Sequence, residues 1–600
     1  MLTHPRPGRP VRFGVFELDL RAGELRRCGV KLKLQDKPLA LLAILLERPG
    51  EVVTREELRE KLWPADTFVD FDHSLSIAVH KVRTILGDNA DNPRFIETLA
   101  RRGYRFVAPV HSRTFDGEAP RRMIAVLPFV NLGGDPQQEY FVDGLTEEMI
   151  TQLGRLNPRR LGVIARASAM AYRQTTKSIA EVGYELGVGY ILEGSARRAG
   201  DRVRISAQLV QVEDQTHLWA ETYDRKLEDV IDIQTDVAER IARSLAVELL
   251  PEAQALIARS ATRSSEAYEL YLHGRHYSSR RGEDYFAKAL EFYSRAIEKD
   301  PRYALAYSGI ADAYSLIGYY GGLPPKQAYG NAITNALLAL EIDDELAEPH
   351  TSLAFPTLEY DWNWPAAEKE HRRAIELNPN CALAWDWYGL NLVQVGRFNE
   401  ALSALKQAYE LDPVSVVALS HQGWLHYYSR QYDRAITILR HAIELDPTFG
   451  LASWFLAQSY LHAGEVHNAV EELERGIRLS GVHPAVLALQ SVAYRALDRR
   501  ADSIAALDQL RSLSAKRRVE PYFMAYAFAP CGDNDATFAW LERAYDDRSG
   551  WLLFVPIDPG FDALRTDPRL IDLMQRANPF RVTSSPGDSK PLTRSGPERR

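Results

Sequence analysis

The stretch Leu75-Ser-Ile-Ala-Val-His-Lys-Val-Arg-Thr-Ile-Leu86 decides how the N-terminal hundred residues are read. On a helix advancing 100° per residue, Leu75, Val79, Val82 and Leu86 fall on one side and predict a buried stripe. His73, Ile77, His80, Lys81 and Thr84 fall on the other, with Ser76 and Arg83 on a flank. Gly87 closes this third helix, predicted from His73. Upstream, Thr54 and Glu57 form a capping box that opens a second helix, ended near Trp63 by Pro64. Asp36 and Pro38 start a first helix, whose Leu39, Leu42, Ala43 and Leu46 recur at helical spacing until Pro49-Gly50 stops it. Alternating segments over 11–20 and 25–34 predict a small antiparallel sheet. Downstream, Phe95 to Val107 has the pattern of a β-hairpin with the basic tip Arg101-Arg102-Gly103.

Sheet, three helices and a basic hairpin follow the winged-helix order. An isoleucine pointing outward among cationic and hydroxyl side chains fits a face lying in a DNA major groove, where an apolar group can meet a thymine methyl. Charge alone does not carry this reading, since residues 11–110 hold 17 Lys+Arg against 15 Asp+Glu. A solvated helix face is the alternative, and the order of elements decides against it. Double-stranded DNA is the expected partner. Ser76, Ile77, His80, Lys81 and Thr84 would face the groove, and Arg83, Arg101, Arg102, Tyr104 and Arg105 would work at the flank and wing.

Residues 11–110 resemble the OmpR/PhoB-type DNA-binding domain, both in the quoted helix and in Phe95-Ile-Glu-Thr-Leu-Ala-Arg-Arg-Gly-Tyr-Arg-Phe106. The resemblance implies that the third helix reads the groove. It further implies that the loop from Trp63 to Asp72 contacts RNA polymerase, and that two copies of the chain bind DNA together as a homodimer. One departure stands out: the family wing often reads Thr-x-Arg-Gly-x-Gly-Tyr-Arg, whereas Ala100 replaces its first arginine here and Arg101-Arg102 follow.

The remaining 490 or so of the 600 residues must hold further domains, because a single core does not grow to that size. Residues 111–121 form a polar linker, and 122–250 alternate strand and helix signals, predicting a small α/β domain. Asp143 is expected to cap a helix reaching Leu156, Glu193 to sit in a turn, and Ser178 with Glu181 to form a capping box. This unit resembles the TolB N-terminal-like domain through Ile124-Ala-Val-Leu-Pro-Phe129, Tyr140-Phe-Val-Asp-Gly-Leu145, Leu192-Glu-Gly-Ser195 and His217-Leu-Trp219. That family implies no settled chemistry.

Residues 264–580 are periodic. Ala374-Ile-Glu-Leu-Asn-Pro379, Ala408-Tyr-Glu-Leu-Asp-Pro413 and Ala442-Ile-Glu-Leu-Asp-Pro447 recur at 34 residues, the interval of tetratricopeptide repeats. Small Gly389, Ala401 and Ala408 let two helices approach, Trp385 and Leu405 fill the gaps, and Pro413 ends the pair. Seven or eight units are expected, stacked into an all-α solenoid that binds a protein or peptide ligand. Trp424, Tyr427, Tyr428 and Trp454 would form an aromatic floor for that ligand or, equally, pack between repeats. The tail, 581–600, is rich in Ser, Pro, Gly and Arg and is expected to be disordered.

The fold class is thus multidomain: a winged helix (α+β), a small α/β domain and a tetratricopeptide-repeat solenoid. Net charge of -8 gives no global nucleic-acid signature, and the three cysteines form no paired motif. No apolar run is long enough for a membrane span, and no nucleotide fingerprint, zincin helix or nucleophile elbow is present. The histidines, including His273 and His276, read as repeat packing. No enzyme, no cofactor and no metal are expected, and the expected location is the cytoplasm. The reading is a one-component transcription regulator of the sort found in bacteria. Its rivals are a repeat scaffold with vestigial DNA contact and an unrecognised enzyme, such as a nucleotide-handling domain, in residues 122–250.

Overall fold

The computed structural model describes residues 11–577, apart from 14–15, 20–21, 28–29, 64–70, 91–92, 94, 100–101, 109, 112–120, 136–137, 159, 201, 227–229, 246–261, 263 and 279–282. Most of the linker, the tail over 581–600, Cys28 and Arg101 lie outside the described residues.

At the N-terminus β1 (Val11–Phe13), β2 (Phe16–Asp19), β3 (Glu24–Arg27) and β4 (Val30–Leu32) form an antiparallel meander, extended on the β1 side by β8 (Val110–His111). Three helices follow: α1 (Asp36–Glu47), α2 (Arg55–Leu62) and α3 (Phe71–Leu86). β5 (Val52–Thr54), β6 (Ile96–Leu99) and β7 (Gly103–Phe106) make a second sheet in the order β5-β7-β6. The Thr54–Glu57 capping box is formed, with both reciprocal hydrogen bonds, so α2 starts where the sequence places it. α1 begins at Asp36 itself, after Gln35, which makes no side-chain cap. The core joins Phe13, Phe16, Phe95 and Phe106, mostly edge to face, to Leu41, Leu45, Val79 and Val82.

The middle domain holds β9 (Arg122–Val126), β10 (Val130–Asn131), α4 (Glu139–Leu156), β11 (Leu161–Val163), α5 (Arg166–Met170), α6 (Ile179–Leu186), β12 (Tyr190–Ala199), β13 (Arg202–Gln211), β14 (His217–Lys226) and α7 (Val230–Ser244). Its strands run β11-β9-β12-β13-β14, with β10 paired in parallel to β12. The Ser178–Glu181 box caps α6 as expected. Two expectations are corrected. Asp143 does not cap α4, which starts four residues earlier; it lies inside the helix, buried, and its carboxylate pairs with Arg173 and, at 3.1 Å, with His276 Nδ1. His276 therefore does face a carboxylate. Glu193 is within strand β12, where it accepts a hydrogen bond from Gln208 of β13. In both cases the partner comes from another element, a relation that local spacing does not record.

Eight antiparallel helix pairs then follow, from Ser265–Ser278 with Glu283–Lys299 to Pro521–Phe528 with Asn534–Asp546. The 34-residue rule has a direct physical reading. A Cβ on Gly389 would lie 2.6 Å from Leu405 Cγ, and one on Gly423 would lie 2.4 Å from Leu439 Cγ. In these two pairs glycine is needed where the first helix meets the large leucine of the second; in the next pair Ala457 takes that place opposite Leu473. The repeat-ending turns serve a further purpose. Asn380 Nδ2 donates to the carbonyls of Gly154 and Leu161 at 2.7 and 3.0 Å. Asp412 accepts from the Ser168 backbone N–H at 2.8 Å and from its hydroxyl at 2.6 Å. Arg155, almost fully buried, pairs with Glu348 at 2.7 Å. The middle domain's α4–β11–α5 segment is thus seated on consecutive turns of the array.

Candidate nucleic-acid interface

α3 is positioned by its apolar side. Leu75, Ala78, Val79, Val82 and Leu86 are buried, which leaves His73, Ser76, Ile77, His80, Lys81 and Thr84 exposed. Ile77 keeps 42% of its surface in solvent, the one exposed large hydrophobic among the described residues of this domain. The two hydroxyls are turned back on the helix: Ser76 donates to the Asp72 carbonyl at 2.7 Å and Thr84 to the His80 carbonyl at 2.9 Å. Each oxygen retains acceptor capacity toward solvent. Lys81 Nζ donates to Gln35 Oε1 at 2.6 Å, an exposed and replaceable contact.

The arginines divide into two groups. Arg102 is exposed at the wing tip, and its carbonyl accepts from the Arg55 N–H, so the backbone is tied down while the side chain is presented. Arg83 is corrected as a phosphate contact. Its side chain is 11% exposed, and Nη2 donates to the Ile96 carbonyl at 2.6 Å and to Thr98 Oγ1 at 2.9 Å, binding α3 to strand β6. Arg105 is half-buried and paired across the hairpin with Glu97, donating from Nε at 2.7 Å. Tyr104 is also corrected, since its ring is buried in the core with the Arg55 guanidinium 5.6 Å from its centroid. The alternation of a strand puts Tyr104 and Arg105 on opposite faces, so they cannot share a duplex-facing surface. Arg101 and most of the loop from Trp63 to Asp72 lie outside the described residues.

Two positioning residues escaped the sequence reading. Asp88, next to Gly87, accepts from the Phe95 and Ile96 N–H groups at 3.3 and 2.9 Å and so fixes where the wing begins. Arg55 reaches Asp72 at 2.7 Å, joining the starts of α2 and α3. A polar residue directly after a helix-closing glycine was the available signal for the first; nothing local marks the second.

The aromatic floor expected on the repeats is corrected as well. Trp424, Tyr427, Tyr428 and Trp454 are each at most 2% exposed. What covers them is the chain's own segment after the eighth pair, two short 3-10 turns at Gly550–Phe554 and Pro559–Leu564. Phe554 stacks on Tyr428 at 5.0 Å, and Trp551 lies 5.8 Å from Trp454 and 6.2 Å from Trp424. The buried Asp558 carboxylate accepts from the Tyr522 and Tyr427 hydroxyls. A ligand entering along these helices would meet protein already in place.

The segment also covers Glu359, whose Oε1 accepts from Gln394 at 2.7 Å while Oε2 is buried without a hydrogen-bond partner. Burial raises its pKa to about 8, with the Glu520 carboxylate adding to the rise. An unfolded glutamate titrates near 4.3, so between about pH 4.3 and 8 the folded chain holds a proton the unfolded one lacks. Stability from this group is full below that window and falls as pH rises through it. Glu359→Gln, which cannot ionise, is expected to flatten the decline in the repeat module's melting temperature over this range, measured by calorimetry. An unchanged slope would place the titration elsewhere.

Residues 29–106 match the family model described as transcriptional regulatory protein, C terminal. Residues 120–240 match that of the HilA/YgeH-like transcriptional regulator, second domain, and 382–415 and 421–484 match tetratricopeptide repeats. The chain therefore carries an OmpR/PhoB-type winged-helix DNA-binding domain fused to tetratricopeptide repeats. Its middle domain takes the HilA/YgeH-like description in place of the TolB-like one. Transcriptional regulator HilA of Salmonella typhimurium is 25% identical over 406 residues, covering 67% of this chain and 70% of that protein. "Putative adenylate cyclase 3" of Rhizobium meliloti is 39% identical over 254 residues, covering 41% of this chain and 42% of that protein, so the chain spans about two fifths of this relative's length. That relative overturns the expectation of a non-enzyme, because the shared residues tie the chain to a protein named as a cyclase. Among solved structures, Pseudomonas aeruginosa PilF is 21% identical with a TM-score of 0.28, covering 34% of this chain and 93% of its own. Among the described residues no helix is long and apolar enough to cross a membrane.

Proposed function

We propose that this chain is a sequence-specific, one-component transcription regulator that docks α3 in the major groove of duplex DNA. The observation that carries this reading is the exposed face of α3, where Ile77 stands among His80, Lys81, Thr84 and Ser76, all solvent-accessible. An apolar side chain with hydrogen-bonding neighbours matches the donor, acceptor and methyl pattern of a major-groove edge. Arg102 on the wing serves the neighbouring phosphates. The similarity to a transcriptional regulator across 406 residues supports the same role. The repeats, joined to the middle domain, receive a protein or ligand signal. RNA polymerase contact through the loop before α3, a homodimer on DNA and action in the cytoplasm complete the proposal.

Salt dependence tests it. Neutralising about four phosphates gives a log-log slope of about -3.6 for the full chain on a promoter fragment. A flat response favours the scaffold reading. Lys81→Ala is expected to cost about 1–3 kcal/mol on the preferred site if it reads a base, whereas Arg102→Ala weakens all sequences alike and reduces the slope by about one unit. If both variants titrate like the parent in fluorescence anisotropy, the docking geometry is wrong.

A further inference from the structure

With the aromatic channel of the repeats filled by the chain's own residues, any ligand must bind elsewhere on the array. A cleft of about 570 Å³ opens at the base of that segment. It lies between the start of the helix Pro325–Ile342, the turn after Arg500–Lys516, and the end of Asn534–Asp546. Its walls carry six cations, Lys326, Lys516, Arg517, Arg518, Arg543 and Arg548, against two carboxylates, Asp546 and Asp547. So concentrated an excess is at odds with a chain of net charge -8.

The cations are not consumed by internal pairing. Among the described residues Lys326, Lys516 and Arg517 make no ion pair and are exposed. Arg543 lies over the Trp540 ring at 5.3 Å and Arg548 over Trp362 at 4.7 Å, and both side chains are exposed. Arg518 alone is anchored, to Glu520 at 3.1 Å and Asp547 at 3.6 Å. The nitrogen facing Asp547, Nη2, is buried and lies beyond hydrogen-bond distance of that carboxylate. Half-buried Tyr360 and Trp540 add aromatic wall.

We propose that this cleft binds a phosphorylated small molecule of nucleotide size. The volume lies in the range of single-ligand sites and far below what a duplex needs. Guanidinium forks match phosphate oxygens in pairs, and lysines add point charge. The ligand touches Arg518, which pairs with the carboxylate of Asp547, three residues before the segment that fills the channel. Binding and the packing of that segment are thereby coupled. The idea rests on the reading of the repeats as the sensing module only for its biological consequence, since binding itself involves no DNA.

Titration calorimetry of the full chain with inorganic pyrophosphate and with ATP provides the test, with citrate as a non-phosphate trianion. Saturable binding of pyrophosphate and ATP is expected, at least tenfold tighter than citrate. The double variant K516A/R517A, which removes exposed side chains that make no ion pair among the described residues, should lose at least tenfold in affinity while its unfolding midpoint stays that of the parent. K81A/R102A, altered only at the winged helix, should bind pyrophosphate like the parent yet lose DNA. Three results would overturn the proposal: no saturable binding at millimolar pyrophosphate, parent-like binding by K516A/R517A, or citrate bound as tightly as pyrophosphate. Failure of DNA binding with pyrophosphate binding intact would instead sink the regulator reading alone.

Discussion

Trp551→Ala is expected to destabilise the repeat module by about 3–5 kcal/mol, the usual cost of emptying a large aromatic site in a packed core. The indole is 6% exposed and touches rings from four separate helices: Tyr319 at 5.3 Å, Trp424 at 6.2 Å, Trp454 at 5.8 Å and Phe523 at 5.2 Å. These residues belong to the second, fifth, sixth and eighth helix pairs, so one side chain joins repeats that are not adjacent along the array. A solenoid loses cooperativity when such long-range contacts go. The variant should therefore melt earlier and over a broader range in calorimetry, with added tryptophan or dye-binding signals from the exposed channel. A sharp transition at the parental temperature would mean that the segment is surface decoration and that the channel is held open by the helices alone.

The second large effect concerns the wing. Gly103→Val should abolish measurable DNA binding by the full chain while leaving the repeat module's unfolding transition in place. A Cβ at residue 103 would lie 2.1 Å from the Val53 carbonyl oxygen and 2.9 Å from Thr54 Cα. Both are backbone atoms of the paired strand, with Thr54 opposite Gly103 in the register. No side-chain rotation can relieve such a contact, so β5 and β7 must separate. Overpacking of this kind typically costs about 1–3 kcal/mol. The functional loss should exceed that figure, because the same strand pair presents Arg102 and ends at the cap that starts α2. Parent-like anisotropy titrations by Gly103→Val would show that the wing takes no part in binding.

Much of this architecture could be read from one sequence because its signals are local and periodic. The inner face of α3, the Thr54–Glu57 and Ser178–Glu181 boxes, and the glycine, leucine and proline positions of the repeats depend on neighbours three, four or thirty-four residues away. The exposed half of α3 follows from the same geometry, since a stripe that is buried defines its opposite. Arg83, Arg105 and Tyr104 show where this stops. Their types suit DNA contact, yet a strand partner and a hairpin neighbour take up the two arginines and the core takes the tyrosine. Composition cannot distinguish an arginine offered to solvent from one donating to a carbonyl thirteen residues away.

The fold class, the exposed face of α3 and the repeat period were determined by sequence alone, because helix and turn energetics act over short separations. Which aromatic rings are open to a ligand, which carboxylates are paired, and where the cationic cleft forms were decided only by the tertiary structure. Those outcomes join residues more than a hundred positions apart, such as Tyr319 with Trp551 or Asp143 with His276. Burial is a property of the assembled chain, and no window of sequence contains it.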